Sequence, residues 1–392
     1  MKLKICMLLP SSNQSIPIRT ELAEVYGGYF TKKGHAIFAI TSSTKAREYN
    51  WKGVWVYEVP FRKKFRKLKL AQKIIEEENC NLIQVRNSSV DGVFGLYLKW
   101  KYGAPLIFQY TWPILKARKE KVKLKNDGEF YQGLIDKFTE FLQMRIMHRA
   151  DLIMPTSKWM KGYLVSRGLP KNKMLFFPNG VNPDIFSPEN SGIEKRREYG
   201  LGSSPVIAYI GTMDRLRRLG FLIHTFRRVK GKVKNAKLLM VGDGNDRGCL
   251  ERLATDLKVF EDVVFTGNVP YSEIPSFLAA SDVAVSPIPP SDLYKVSSPL
   301  KVFEYMGAGK PVVANEEIPE QREVIRESGG GLLVPYDEES FANAIVELLN
   351  DPNKGKRMGR NGRKWVLENR SYEKLAKKVE EAYFDLLNRR GR

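Results

Sequence analysis

Short, mostly apolar runs recur along the chain, separated by longer stretches whose apolar residues fall three and four apart. In the first half, runs at 4–9, 36–41, 81–85, 106–110, 151–154 and 174–177 predict buried strands, and 19–33, 90–100, 130–149 and 157–167 predict the helices between them. Strands apolar on both faces must be covered on both faces, so this alternation predicts an α/β chain with a doubly wound parallel sheet. The alternation resumes at 205–210 and runs through strand-and-turn segments at 237–244 and 263–270 to a strand at 311–314, with helices at 338–350, 353–367 and 372–388 closing the chain. A turn-rich connector beginning Pro178-Asn179-Gly180-Val181 separates the two series. Ligands of such sheets bind beyond the carboxyl ends of the strands, which places Arg86, Asp91, Gln109, Tyr110 and Thr111 near a site in the first series. Asp91 reads equally well as an acid in the first turn of a helix.

The stretch from Ser297 to Pro311 carries the sharpest chemistry. Ser298 fits an N-cap and Pro299 the first helical position; Leu300, Phe303 and Met306 share a face; Gly307 and Gly309 stop the helix before the next strand. A helix start offers unpaired N–H groups and the positive end of the dipole, a ready anion site. Lys301 in that first turn is misplaced by itself, because cations suit the other end, and an anion resolves the conflict. The dipole contributes roughly 0.3–1 kcal/mol, whereas a lysine about 4 Å from a phosphate contributes about 4 kcal/mol at an intermediate dielectric, so Lys301 dominates. Glu304 lies three residues on, where a carboxylate suits sugar hydroxyls. Phosphate donor and hydroxyl acceptor one turn apart describe a nucleotide-diphosphate grip; the plainer alternative is a capped helix with both charges in solvent.

Composition narrows the partners. The 392 residues suffice for two or three domains, and 43% apolar residues support a large core. Three scattered cysteines, Cys6, Cys80 and Cys249, argue for a reducing compartment and against a disulfide scaffold, and three histidines exclude a histidine-rich metal site. No apolar run reaches the roughly 20 residues a membrane span needs, and the N-terminal run reads as a strand rather than a signal peptide. The formal charge of +21 is uneven: residues 1–185 hold 32 basic and 15 acidic residues, residues 186–392 hold 33 and 29. Residues 61–75 place Phe61, Phe65, Leu68 and Ile75 on one helical face among seven Lys or Arg and no acid, and Lys116, Arg118, Lys119, Lys121, Lys123 and Lys125 add a second cluster. Each basic residue near an anionic leaflet is worth about 1 kcal/mol, so these clusters suit a membrane surface; a solvated crossover helix is the alternative. Interleaved stacking aromatics and nucleic-acid modules are lacking, so nucleic acid is not an expected partner.

The order of motifs in the second half resembles family 4 glycosyltransferases. Gly211 after a strand, Gly242-Asp243-Gly244, Val263 to Pro270, Ala280-Ser281-Asp282 and Ser298-Pro299-x-Lys301-x-x-Glu304-Tyr305 follow one another as they do there, and Pro178-Asn179-Gly180-Val181-Asn182 resembles that family's interdomain linker. The resemblance implies the GT-B fold, two Rossmann-like doubly wound domains facing across a cleft: residues 1–185 binding acceptor, 186–370 binding nucleotide sugar, and a last helix from 371 crossing back to the first domain. It implies a retaining hexosyltransferase using a UDP or GDP sugar. Glu304 would bind the ribose and Lys301 and Arg217 would hold the diphosphate, the three together forming the catalytic set. Gly211, Thr212, Arg215, Arg218, Gly242, Val269, Ser298, Pro299 and Leu300 would line the donor site. Three arginines within four positions can grip a diphosphate bidentately.

The chain departs from the family at three places. Many members carry a second glutamate where Val296 stands, glycines where Ser11 to Pro17 stand, and a histidine near Tyr110 and Thr111. The altered first loop makes Arg19 an acceptor-side candidate, with Arg86, Asp91, Tyr110 and Thr111; a solvated Arg19 is the alternative. No Asp-x-Asp motif follows a strand, so metal-independent chemistry without a further cofactor is expected. The expected setting is cytoplasmic, peripheral at the inner membrane face, with a lipid-linked or polysaccharide acceptor of the cell envelope. A GT-B nucleotide-sugar epimerase and a basic membrane-surface protein with an inactive nucleotide fold are the rival readings.

Overall fold

The run Lys4–Leu8 is buried along nearly its whole length and lies inside a parallel sheet, as a strand with no polar face must. The computed structural model describes residues 1–10, 21–61, 64–113, 116–118, 120 and 129–389. The chain forms two units, Met1–Pro178 with Tyr372–Arg392, and Asn179–Ser371.

The first unit holds strands β1 (Lys4–Leu8), β2 (Ala36–Ser43), β3 (Arg47–Trp51), β4 (Val54–Pro60), β5 (Leu82–Arg86), β6 (Leu106–Tyr110) and β7 (Leu152–Pro155). They form a seven-stranded sheet in the order β3-β4-β2-β1-β5-β6-β7. All pairs are parallel except β3 with β4. Its helices are α1 (Lys64–Glu78), α2 (Ser89–Tyr102), α3 (Glu129–Arg149) and α4 (Lys158–Ser166), with a π-helical segment at Leu22–Phe30. The last helix of the chain, Tyr372–Asn388, belongs to this unit; its Tyr383 is fully buried, donates to Gln84 Oε1 at 2.7 Å and lies 3.2 Å from the Tyr26 hydroxyl.

The second unit holds β8 (Val206–Ile210), β9 (Lys237–Val241), β10 (Val263–Phe265), β11 (Val283–Ser286), β12 (Val312–Asn315) and β13 (Gly331–Val334), all parallel, in the order β10-β9-β8-β11-β12-β13. The strand order reverses beside β8, the kind of position where doubly wound sheets accept ligands. Val181, Phe186, Phe277, Phe303 and Met306 are among the residues filling the core on one side of this sheet.

Several sequence expectations change. The segment 174–177 runs beside β7, donating from Leu175 N to Ile153 O (2.9 Å) and from Phe177 N to Pro155 O (3.0 Å), but it pairs through a single bridge because Pro155 has no N–H to return. The division expected at 185/186 lies at 178/179, since Val181 and Phe186 are buried in the second unit's core. The edge hairpin β3–β4 is absent from the apolar pattern because β3 is largely exposed. On α1 the buried face is Lys67, Ala71, Ile74 and Ile75, and Phe65 is 75% exposed. Ile75 is inside as expected, and the inward position of Lys67 has a cause: Asp91 on α2 accepts from Lys67 Nζ at 2.7 Å, and Leu9 O accepts from the same ammonium at 2.7 Å, so the lysine can be buried.

Candidate functional site

Strand β8 ends at Ile210, and the chain turns at Gly211 with φ +142°. A Cβ at Gly211 would lie 2.4 Å from both Cε and Nζ of Lys301, so the absence of a side chain there makes room for the lysine. Gly242, φ +128°, has the same relation to Gly211, whose carbonyl oxygen would stand 2.3 Å from an added Cβ.

Lys301 belongs to α5 (Leu300–Gly307). Its ammonium donates to the Tyr209 hydroxyl at 2.7 Å and lies 3.9 Å from the centre of that ring. The helix is pinned to the strand by Tyr305, whose hydroxyl accepts from Ile210 N at 2.9 Å. Its start differs from the expected cap. Pro299 occupies the N-cap position and no side chain caps the helix. Ser298 is held from elsewhere: Asn179 N donates to its hydroxyl (3.3 Å), and Asn179 Nδ2 to its carbonyl (2.7 Å). The first-turn N–H groups of Leu300 and Lys301 have no intrahelical acceptor, as at any helix start. Val302, Phe303, Tyr305 and Met306 are buried, while Leu300 is half-buried.

Glu304, 5% exposed, accepts a 2.7 Å hydrogen bond from the Tyr271 hydroxyl. Burial raises its carboxyl to about 7, against the pull of the Tyr271 bond and the Lys301 charge. Burial also drives the Lys301 ammonium well below the ordinary lysine range, with the Arg217 charge adding to the effect and Glu304 and Asp214 opposing it. The two groups therefore lie close enough for each charge to act on the other, and burial disfavours the charged form of both.

The loop after β8 separates the three arginines. Arg215 to Arg217 make one tight turn, closed by Arg218 with φ +48°. Arg217 lies 5.2 Å over the Tyr294 ring and acts on Lys301 and Tyr209 through its charge. Arg215 is turned to Asp246 (3.9 Å), and its N–H donates to Asn245 Oδ1. The Arg218 charge acts on the Tyr336 phenol. Thr212 is exposed, its carbonyl accepting from Tyr209 Oη at 3.1 Å, and Val269 packs half-buried against the core. The second unit thus gathers Gly211, Arg217, Lys301 and Glu304 and sends Arg215 and Arg218 elsewhere. Tyr209, Tyr271, Tyr294 and Asn179 join the set unannounced, because tyrosine in an apolar context reads as core and asparagine in a connector as a turn.

In the first unit, Arg86 pairs with Glu21 at 3.2 Å, and Glu21 also accepts from Gln109 Nε2. Thr111 is locked to Asn87, receiving Nδ2–H at its hydroxyl and donating its N–H to Oδ1, both at 2.8 Å. Asp91 serves as the partner of buried Lys67, and its N–H donates to the Ser88 cap at 3.1 Å. Tyr110 is buried and lines a pocket of about 200 Å³ with Gln143, Glu140 and Tyr163. Arg19, Lys119, Lys121, Lys123 and Lys125 lie outside the described residues; Lys116 stands 4.2 Å over the Tyr163 ring, and Arg118 pairs with Asp136.

The chain is similar to known glycosyltransferases. Residues 193–365 match the model of the glycosyl transferases group 1, and residues 26–185 that of Glycosyltransferase Family 4. The chain is 30% identical over 228 residues to the GDP-mannose-dependent alpha-(1-6)-phosphatidylinositol monomannoside mannosyltransferase of Mycolicibacterium smegmatis, a stretch covering 57% of this chain and 60% of that protein. It is 24% identical over 296 residues to the MMP alpha-(1->4)-mannosyltransferase of Mycolicibacterium hassiacum, covering 74% of this chain and 67% of the relative. Among solved structures, the sucrose-phosphate synthase of Thermosynechococcus elongatus superposes with a TM-score of 0.77 at 20% identity, over 99% of this chain and 100% of that one. Anabaena HepE in complex with UDP-glucose gives 0.75 at 16% identity, over 97% and 99%. Two family models spanning most of the sequence, with this likeness of fold along nearly its whole length, show that the chain belongs to the family 4-like glycosyltransferases of GT-B fold.

Proposed function

We propose that the chain is a retaining hexosyltransferase that moves a sugar from a UDP or GDP sugar to a lipid-linked or polysaccharide acceptor. The observation that carries this reading is the pairing of Lys301 and Glu304 one turn apart at the carboxyl end of β8. As the bond between sugar and diphosphate breaks, negative charge grows on the departing phosphate. Lys301, Arg217 and the uncapped start of α5 would face that charge in an enclosed place, where water screens it little. Glu304 would hold the ribose hydroxyls, with Tyr271 fixing the carboxylate. Gly211 makes room for Lys301, and Gly242 for the Gly211 turn, so both glycines would support the placement of the ammonium. In this reading no metal is needed, because Lys301 and Arg217 would themselves neutralise the phosphates.

Support for the donor comes from the relatives' names, which specify GDP-mannose, and from the neighbour holding UDP-glucose. The phosphatidylinositol mannoside in one relative's name supports a lipid-linked acceptor. Among the described residues, no helix is long and apolar enough to cross a membrane.

A thermal-shift panel of UDP-, GDP- and ADP-sugars tests the reading. A ligand that binds the folded state alone raises its stability by about 2.7 kcal/mol at a hundred times its Kd. Stabilisation by a UDP or GDP sugar, abolished in Lys301→Ala, is the expected result. Absence of stabilisation by every nucleotide sugar at millimolar concentration would overturn it.

A further inference from the structure

Helices α1, α2 and α3 follow β4, β5 and β6 and lead to β5, β6 and β7, all moving in the same direction across the sheet. Right-handed crossovers put all three on one face of the first unit's sheet. They touch in sequence. The Phe65 and Phe94 rings are 6.3 Å apart and Lys101 Nζ reaches Glu76 at 3.2 Å between α1 and α2; a Cβ at Gly92 on α2 would lie 2.9 Å from the Ile146 side chain of α3.

The outward surfaces of α2 and α3 carry apolar stripes where solvent-facing helices are normally polar. On α2, Val90, Val93, Tyr97 and Trp100 follow one another at three, four and three residues, all exposed, with Trp100 at 80%. On α3, Leu134, Phe138 and Phe141 recur at four and three residues, each more than half exposed, with Ile135 beside them. Phe65 on α1 is 75% exposed. In the second unit, exposed large apolar side chains stand singly, at Ile193, Phe260 and Leu367, which is the ordinary condition of a protein surface. Exposed apolar stripes on neighbouring helices of one face call for an occupant.

Charge selects the occupant. Arg66 and Lys69 on α1 and Lys137 and Arg145 on α3 are exposed, and Arg145 lies 5.3 Å over the Phe141 ring. Three nearby acids are engaged, Glu76 by Lys101, Glu77 by Lys73 and Glu140 by Arg167, while Glu78 is exposed at the end of α1. A second copy of this face would bring cations against cations. An anionic lipid surface complements both features, taking the aromatic and aliphatic side chains at the headgroup boundary and the basic residues at its phosphates.

We propose that the outer face of α1, α2 and α3 is a docking surface for an anionic lipid bilayer. The proposal deepens the reading of a lipid-linked acceptor and rests on it for its biological sense, but its test is separate. Wild type, Phe138→Asp/Phe141→Asp and Lys301→Ala are co-sedimented with vesicles of equal parts phosphatidylcholine and phosphatidylglycerol, and with pure phosphatidylcholine, at 50 and 500 mM salt. Light scattering reports the oligomeric state, and circular dichroism the fold. We expect wild type and Lys301→Ala to bind the mixed vesicles at low salt and the double variant to bind at least tenfold more weakly, with its fold intact. Trp100→Ser repeats the test should the double variant unfold. Equal binding by the surface variants, no binding by wild type at low salt, or a wild-type dimer that becomes monomeric in the variants without any change in vesicle binding would each overturn the proposal. Loss of vesicle binding alone leaves the nucleotide assay unaffected, so the two readings fail separately.

Discussion

The Lys301 ammonium lies 2.7 Å from the Tyr209 hydroxyl and 3.9 Å from the centre of its ring. A cation placed there gains from the ring's negative face but loses most of its water, and burial drives its pKa down. The ligand-free protein therefore holds Lys301 at a cost that an anionic ligand would relieve. Lys301→Met, which keeps the length and removes the charge, is expected to raise the melting temperature of the ligand-free protein while abolishing stabilisation by nucleotides. Calorimetric melting with and without UDP or GDP checks both halves. A lower melting temperature in the variant would mean that the ammonium is stabilising in the empty site.

Diphosphate binding should be coupled to proton uptake. The free-state pKa of Lys301 is depressed by burial and by Arg217, and a bound diphosphate would raise it. Affinity should then weaken as pH rises through the free-state pKa, because binding above it must recruit a proton. Titration calorimetry in buffers of different ionisation enthalpy measures the uptake, and a buffer-independent heat would contradict it.

Glu304 gives a stability signature of opposite kind. Its folded-state carboxyl is raised by burial from 4.5 to about 7. The folded protein thus binds the proton more tightly than the unfolded chain, and this contribution to stability, present in full below about 4.5, is lost as pH rises to about 7. At 1.36 kcal/mol per pKa unit the loss is about 3 kcal/mol. Glu304→Gln should flatten that decline in urea denaturation followed from pH 5 to pH 8, and a slope equal to that of wild type would contradict the assignment.

How much of this was legible depends on where the information resides. The continuous apolar runs at β1, β8 and β12 announced a covered parallel sheet, because burial on both faces leaves no choice of residue type. The helix at Leu300–Gly307 was legible from its spacing, but its cap was not: Ser298 is claimed by Asn179, over a hundred residues away in sequence. Arg215, Arg217 and Arg218 looked equivalent, and a single tight turn with Arg218 at positive φ sends them to three different neighbours. On α1, apolar spacing put Phe65 inside, whereas Lys67 is inside because Asp91 on the next helix neutralises it. Contacts distant in sequence decide such cases, and no local pattern contains them.

That buried pair supplies a further check. Lys67 and Asp91 side chains are 3% and 6% exposed. Removing one partner of such a pair costs about 3–5 kcal/mol, whereas replacing both by apolar residues of similar volume is close to neutral. Lys67→Ala should therefore be strongly destabilised in chemical denaturation, and Lys67→Met/Asp91→Leu should recover most of the loss. Equal stability of the single variant and wild type would show that the pair is solvated.

Gly211→Ala probes the approach of Lys301 to the strand. Positive φ and a 2.4 Å encounter with Nζ both oppose a Cβ there. The conformation alone costs of order 1–3 kcal/mol. The variant should lose nucleotide affinity by tenfold or more through displacement of Lys301, an effect readable by titration even where the fold survives. Unchanged affinity would place the ligand away from this turn.

The most direct measurement is calorimetric titration of UDP and GDP into wild type, Lys301→Ala and Arg215→Ala. A charge-assisted hydrogen bond contributes about 1.5–3 kcal/mol. Wild type should bind at least one nucleotide, Lys301→Ala should bind it about 10- to 100-fold more weakly, and Arg215→Ala, whose side chain faces Asp246, should bind nearly as wild type does. Undiminished binding by Lys301→Ala would contradict the account at its centre.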